Sequence, residues 1–151
     1  MNGPSVATLS LIMLLAGIGI PVMAALNGGL GARLGNPVQA ATLLFAVALC
    51  VSILALVIQD KPITFNVGAI PSRFFLGGLF VAFYVLSVTF IAPKIGVGNA
   101  IVLVLLGQTL AAAVIDHFGW FGAEQTTLTT TRGIGFLIMI GGILLARRSI
   151  D

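Results

Sequence analysis

The sequence predicts an all-α integral membrane protein, a five-helix bundle that forms half of a ten-helix inverted-repeat assembly. Three observations carry this. Of 151 residues, 59% are hydrophobic and only 7% charged, whereas about a quarter of a soluble domain is charged. Mean hydropathy is +1.19. Five apolar runs approach the ~20 helical residues, at about 1.5 Å each, that cross a hydrocarbon core. Finally, the basic residues divide almost evenly between the two faces that five spans create.

The spans are residues 6–26, 38–58, 74–92, 97–115 and 131–146. The first four carry no charged residue. The fifth is the shortest, because only Gly133 to Ala146 lie between Arg132 and Arg147. It crosses if those arginines snorkel towards the head groups, and its Gly, Ile and Leu content favours that. The apolar runs are continuous, which excludes the in-out alternation of a membrane barrel. Helices also satisfy their own backbone groups in lipid. Val22-Met23-Ala24 resembles a signal-peptide cleavage site, but no basic segment precedes it and the uncharged run continues to Ala32, so the first run is read as a span.

The connections, Asn27 to Pro37, Gln59 to Arg73, Pro93 to Gly96 and Asp116 to Thr130, are short and marked by Gly, Pro, Asn or charge. The expectation is one transmembrane domain over residues 1–151, with function inside the bundle or its assembly. Cys50 is solitary and within a span, which excludes a disulfide framework and a thiolate cluster. A pI of about 9.8 raises the question of nucleic acid. Seven basic residues scattered at span ends form no patch and read instead as topological anchors in the lipid bilayer.

Those anchors set the topology argument. The side holding the N-terminus receives Lys61, Arg73 and Arg132, and the opposite side receives Arg33, Lys94, Arg147 and Arg148. Because Lys and Arg in cytoplasmic loops set orientation, so even a division permits insertion both ways round. Alternatively, Arg147 and Arg148 hold the C-terminus in the cytoplasm. Two inverted copies would give ten spans about a pseudo-two-fold axis, with a midplane site between the halves.

The polar residues within spans are few. In the first span Pro21 removes the hydrogen bond to Gly17 and favours a kink, which either opens a cavity or improves packing. Asn27 either faces a cavity or caps the helix through Gly28. In the third span Tyr84 and Ser87 share a helical face, offering a hydroxyl pair and a ring. Ser87 and Thr89 have the alternative of bonding their own backbone. Gln108, in Gly107-Gln108-Thr109 of the fourth span, is a mid-membrane amide that needs a partner across helices or a ligand. Asp116 stands at a helix C-terminus, where the dipole disfavours a carboxylate. Either an ion pair with Arg132 or a proton-coupling role shared with neighbouring His117 explains it. Phe118, Trp120 and Phe121 read as an interfacial aromatic belt.

These residues also carry a resemblance. A first span ending Ala24-Ala25-Leu26-Asn27 is followed by a third with Gly77-Gly78, Phe83-Tyr84 and Ala92-Pro93-Lys94. The fourth reads Gly107-Gln108 and then Asp116-His117-Phe118-Gly119. This order resembles the YdcZ-type family of the drug/metabolite transporter superfamily across essentially the whole chain. The resemblance implies a five-span half-transporter in the cell's inner membrane, working as an antiparallel homodimer or with a paired paralogous half. One departure from the small multidrug exporters stands out. They carry a glutamate in the first span, where this chain has no ionisable group. Cation–proton antiport by that route is not supported. Coupling then falls to Asp116, or the substrate is neutral or anionic.

No catalytic triad or metal-ligand cluster is legible, so neither enzymatic activity nor a bound cofactor is expected. The function expected is transport of small organic solutes or metabolites, with Tyr84, Gln108, Asn27 and Ser87 as substrate contacts. Asp116, His117 and Arg132 are the expected coupling or ion-pair group. The alternative is an accessory or scaffold subunit, which predicts one fixed orientation and a dry bundle.

Overall fold

The computed structural model describes residues 5–59, 64, 68 and 70–148. They form five helices: α1 (Val6–Leu34), α2 (Pro37–Ile58), α3 (Leu76–Ile95), α4 (Val97–Phe118) and α5 (Thr130–Arg148). A 3-10 turn at Ser72–Phe75 leads into α3 and another at Trp120–Gly122 follows α4. There is no β-strand among the described residues. Four helices are long and apolar enough to cross a membrane, so the fold is a multi-span helical membrane protein. The apolar part of α5, Thr130–Leu145, is shorter, although the helix as a whole has 19 residues and reaches about 28 Å.

The contacts fall into two compact units, divided between Val97 and Gly98. In the first, α1, α2 and α3 pack against one another pairwise. Helix α1 begins at Ser5, whose hydroxyl accepts the Thr8 amide at 3.2 Å. It runs unbroken through Pro21 to Leu34. Gly35 then takes φ 64° and donates to Ala32 O, while Asn36 N–H donates to Gly31 O at 3.1 Å. This double bond pattern needs a left-handed residue, which glycine supplies without a Cβ clash. Asn36 immediately caps α2, accepting from Val38 N at 2.9 Å and Gln39 N at 3.2 Å. Pro37 follows at a position whose amide needs no partner. The turn is therefore tight, and α1 and α2 are antiparallel neighbours.

Several boundaries differ from the sequence reading. Asn27 does not cap α1, which continues to Leu34; the stop is at Gly35, where a positive φ is actually required. The stretch from Asn27 to Pro37 is thus mostly helix rather than a loop. Pro93 lies inside α3, which ends at Ile95, so Gly96 alone separates α3 from α4. Asp116 and His117 belong to the last turn of α4. Lys61 and most of the connection from Gln59 to Arg73 lie outside the described residues.

The core of the first unit is built from small residues. Helix α1 buries Ala24, Asn27, Gly28 and Gly31, and α3 buries Val85, Val88, Thr89 and Ala92. Both sets have i, i+3, i+4, i+7 spacing, one stripe along each helix. Helix α2 adds Ala40 and Ala41. A Cβ on Gly31 would stand 3.3 Å from Pro37 Cα, and one on Gly28 would stand 3.3 Å from Pro93 Cγ. Glycine at these two positions lets α1 approach both neighbours closely, which is how helices associate where lipid removes the hydrophobic drive.

In the second unit, Gly119 takes φ 61° after α4 and Phe121 takes φ 59°. Residues 123–129 have no regular secondary structure and lead to α5, where the Thr129 hydroxyl accepts the Arg132 amide at 3.3 Å and caps the helix.

Candidate functional site

In the first unit the polar centre is Asn27. It is 3% exposed, as is Thr89. Asn27 Nδ2 donates to Thr89 Oγ1 at 2.5 Å, and Thr89 Oγ1 donates to Val85 O at 2.7 Å. Since the single threonine proton goes to Val85, Asn27 must present its amide N–H to Thr89. A buried amide without such a partner would cost several kcal/mol in hydrocarbon (~2–7).

Each member of this pair borders a different recess. Asn27 lines an apolar groove of about 610 Å³ between α1 and α2, together with Val22, Leu26, Leu30, Leu43 and Val47. Thr89 lines a recess of about 270 Å³ bordered by Gly28, Gly31, Pro37, Pro93 and Lys94. Lys94 Nζ sits 3.9 Å from the centroid of the Phe90 ring, a cation–π geometry. The groove volume suits a small organic molecule, and most ligand sites combine such apolar walls with few polar groups.

Tyr84 and Ser87 on α3 are both half-buried. The Tyr84 hydroxyl is buried and has no hydrogen-bond partner among the described residues. That is uncommon for a tyrosine within a span. Other hydroxyls at membrane depth bond their own helix: Thr42 to Val38 O at 2.9 Å, Ser52 to Leu49 O at 2.9 Å and Thr109 to Leu105 O at 2.6 Å. Thr89 combines that behaviour with a contact across helices.

In the second unit Gln108 is exposed on α4. At the end of α4, Asp116 and His117 gather the chain that follows. Arg132 Nη2 lies 3.3 Å from Asp116 Oδ2, with side chains 40% and 34% exposed. Thr126 N donates to Asp116 O at 2.8 Å, Gln125 Nε2 to His117 O at 3.1 Å and Leu128 N to His117 Nδ1 at 3.1 Å. The His117, Phe118 and Trp120 rings contact in sequence, with centroids 4.8 and 5.2 Å apart, and Phe118 and Trp120 are exposed, as an interfacial belt requires.

The structure therefore brings Asp116, His117 and Arg132 together, and joins Asn27 to Thr89 rather than to Tyr84 or Ser87. Sequence reasoning missed the strap residues Gln125, Thr126 and Leu128, and gave Thr89 no cross-helix role. Two of the strap contacts use backbone amides, which no side-chain pattern reveals. Among the described residues, no group of His, Cys, Asp or Glu is placed to hold a metal.

Fold and site together define a multi-span helical membrane protein with buried polar groups beside apolar recesses. Residues 8–145 match the model of the family described as "Putative inner membrane exporter, YdcZ", and the chain belongs to that family. It is accordingly a multi-pass transporter of the inner membrane. No curated protein and no solved structure matches the chain.

Proposed function

We propose that this chain is a five-span half of a secondary transporter for small organic solutes, and that two inverted copies form the working unit. The two copies would alternate access to a site near the midplane, as inverted repeats do. Residues 1–151 act as one transmembrane domain in this reading, and the substrate contacts are Asn27, Tyr84, Ser87 and Gln108.

The observation that supports it best is the Asn27–Thr89 pair, a costly polar centre held at membrane depth beside an apolar groove of about 610 Å³. The pair joins α1 to α3 and leaves the amide at the edge of that groove. The Tyr84 hydroxyl, without a partner among the described residues, and the exposed Gln108 side chain add groups that a solute or second copy would satisfy. The near-even division of basic residues supports insertion in both orientations.

The test compares the small-molecule content of the medium around cells producing the natural chain, Gln108→Ala, or neither. Transport predicts solutes that change with the natural chain and return towards the control level with Gln108→Ala at equal membrane abundance. Identical media in all three would remove the transporter reading. A change that survives Gln108→Ala would remove Gln108 from the site.

A further inference from the structure

His117 holds the strap between α4 and α5 in a way that depends on its charge. The Leu128 amide donates to His117 Nδ1 at 3.1 Å, so Nδ1 carries no proton and the neutral ring keeps its proton on Nε2. Protonation would place an N–H at Nδ1, facing the Leu128 N–H. Two donors then oppose each other and the bond is lost. Histidine is the side chain whose charge ordinarily changes between about pH 5 and pH 8.

The position of this bond matters. Leu128 directly precedes Thr129, whose hydroxyl caps α5. The strap enters from Phe121 at φ 59°, a conformation that a bulky residue holds only when its surroundings enforce it. The charged groups near this junction are Asp116 beside His117 on α4, Arg132 in the first turn of α5 and Glu124 in the strap, while Arg147 and Arg148 stand at the other end of α5. The Asp116–Arg132 pair lies 3.3 Å apart, so the carboxylate is already partly satisfied and an imidazolium would share it with a guanidinium. The remaining strap bonds, Thr126 N to Asp116 O and Gln125 Nε2 to His117 O, use main-chain carbonyls and do not titrate. Among the strap's own bonds, the one to His117 Nδ1 is the one that a ring proton would break.

We propose that His117 is a proton-operated latch: neutral, it fastens the start of α5 to the end of α4 through Leu128, and protonated, it releases residues 127–129. The latch does not depend on which solute is carried.

The test uses the full chain in lipid nanodiscs, with Cys50→Ala and a nitroxide on a cysteine replacing exposed Thr127. Electron paramagnetic resonance line shapes are recorded from alkaline to acidic pH. A mobile component should appear on acidification and vanish on return. His117→Asn, which puts a non-titrating oxygen near the Nδ1 position, should keep the label immobile throughout. Asp116→Asn and Glu124→Gln should each retain the response. An unchanged line shape across pH in the chain with His117 overturns the proposal, whether or not the asparagine variant folds. So does a response that persists in His117→Asn.

Discussion

Asn27 Nδ2 donates to Thr89 Oγ1 at 2.5 Å, joining α1 to α3 through residues that are each only 3% exposed. The same hydroxyl returns its proton to Val85 O. The bond fixes the rotation of α1 against α3, because a turn of either helix by one residue would carry the amide or the hydroxyl out of the shared stripe. It also fixes which side of the amide the rest of the site can use: the carbonyl Oδ1 is the end not committed to Thr89. Energetically the bond is modest, since cross-helix hydrogen bonds in membranes contribute about 0.6–2 kcal/mol.

Asn27→Ala and Thr89→Val should each destabilise the folded chain by about 1 kcal/mol, and the double variant should cost less than their sum. A double-mutant cycle of reversible unfolding in detergent or bicelles reads the difference. Strict additivity would mean that the two side chains do not act on each other.

Close approach of α1 to α2 depends on Gly31, whose added Cβ would meet Pro37 Cα at 3.3 Å, whereas Gly29 on the same helix has open space. Gly31→Val should therefore destabilise by about 1–3 kcal/mol through overpacking. Gly29→Val provides the control and should cost clearly less. Equal effects in the same unfolding assay would show that helix propensity, rather than contact with Pro37, sets the cost.

Tyr84 separates stability from function. Its hydroxyl is buried without a partner among the described residues, and such a group costs about 1–3 kcal/mol. Tyr84→Phe should leave unfolding stability unchanged or raised, while reducing solute transport. Loss of stability would reveal a structural partner for the hydroxyl. Full transport would remove it from the substrate site.

The Asp116–Arg132 pair is exposed enough, at 34% and 40%, that it should contribute under about 1 kcal/mol. Asp116→Asn is thus expected to fold with nearly unchanged stability. We propose in addition that Asp116 carries the coupling proton, in which case the same variant loses the dependence of transport on an imposed pH gradient. If the gradient still drives transport in this variant, coupling lies elsewhere.

Much of the fold was legible in the sequence because length and hydropathy alone define a span. The errors came where one signal has two physical meanings. Gly28-Gly29 after Asn27 reads as a helix end, yet glycine is tolerated within membrane helices, and here Gly28 is where α3 comes close. The true end is Gly35, distinguished only by its positive φ. Pro21 reads as a kink site, and α1 stays helical through it. Asn27 was visible as an unusual residue, while its partner, Thr89, stands 62 positions away and no local pattern connects them. At the other end of the chain, Asp116, His117 and Arg132 were legible because charge is rare in this sequence. The strap that fastens to them was not, since its contacts run through the amides of Thr126 and Leu128 and the unremarkable side chain of Gln125.

Two oppositely inserted copies are proposed to form the transporter, and mapping the orientation of the chain in the membrane distinguishes this from a single fixed topology. In a Cys50→Ala background, Ser149, which lies outside the described residues, is replaced by cysteine. Sealed native membranes are then treated with an impermeant thiol reagent from each side separately. Inverted pairing predicts two labelled populations, one reached from each face. Labelling of the whole population from one face, with none reached from the other, would contradict the inverted homodimer.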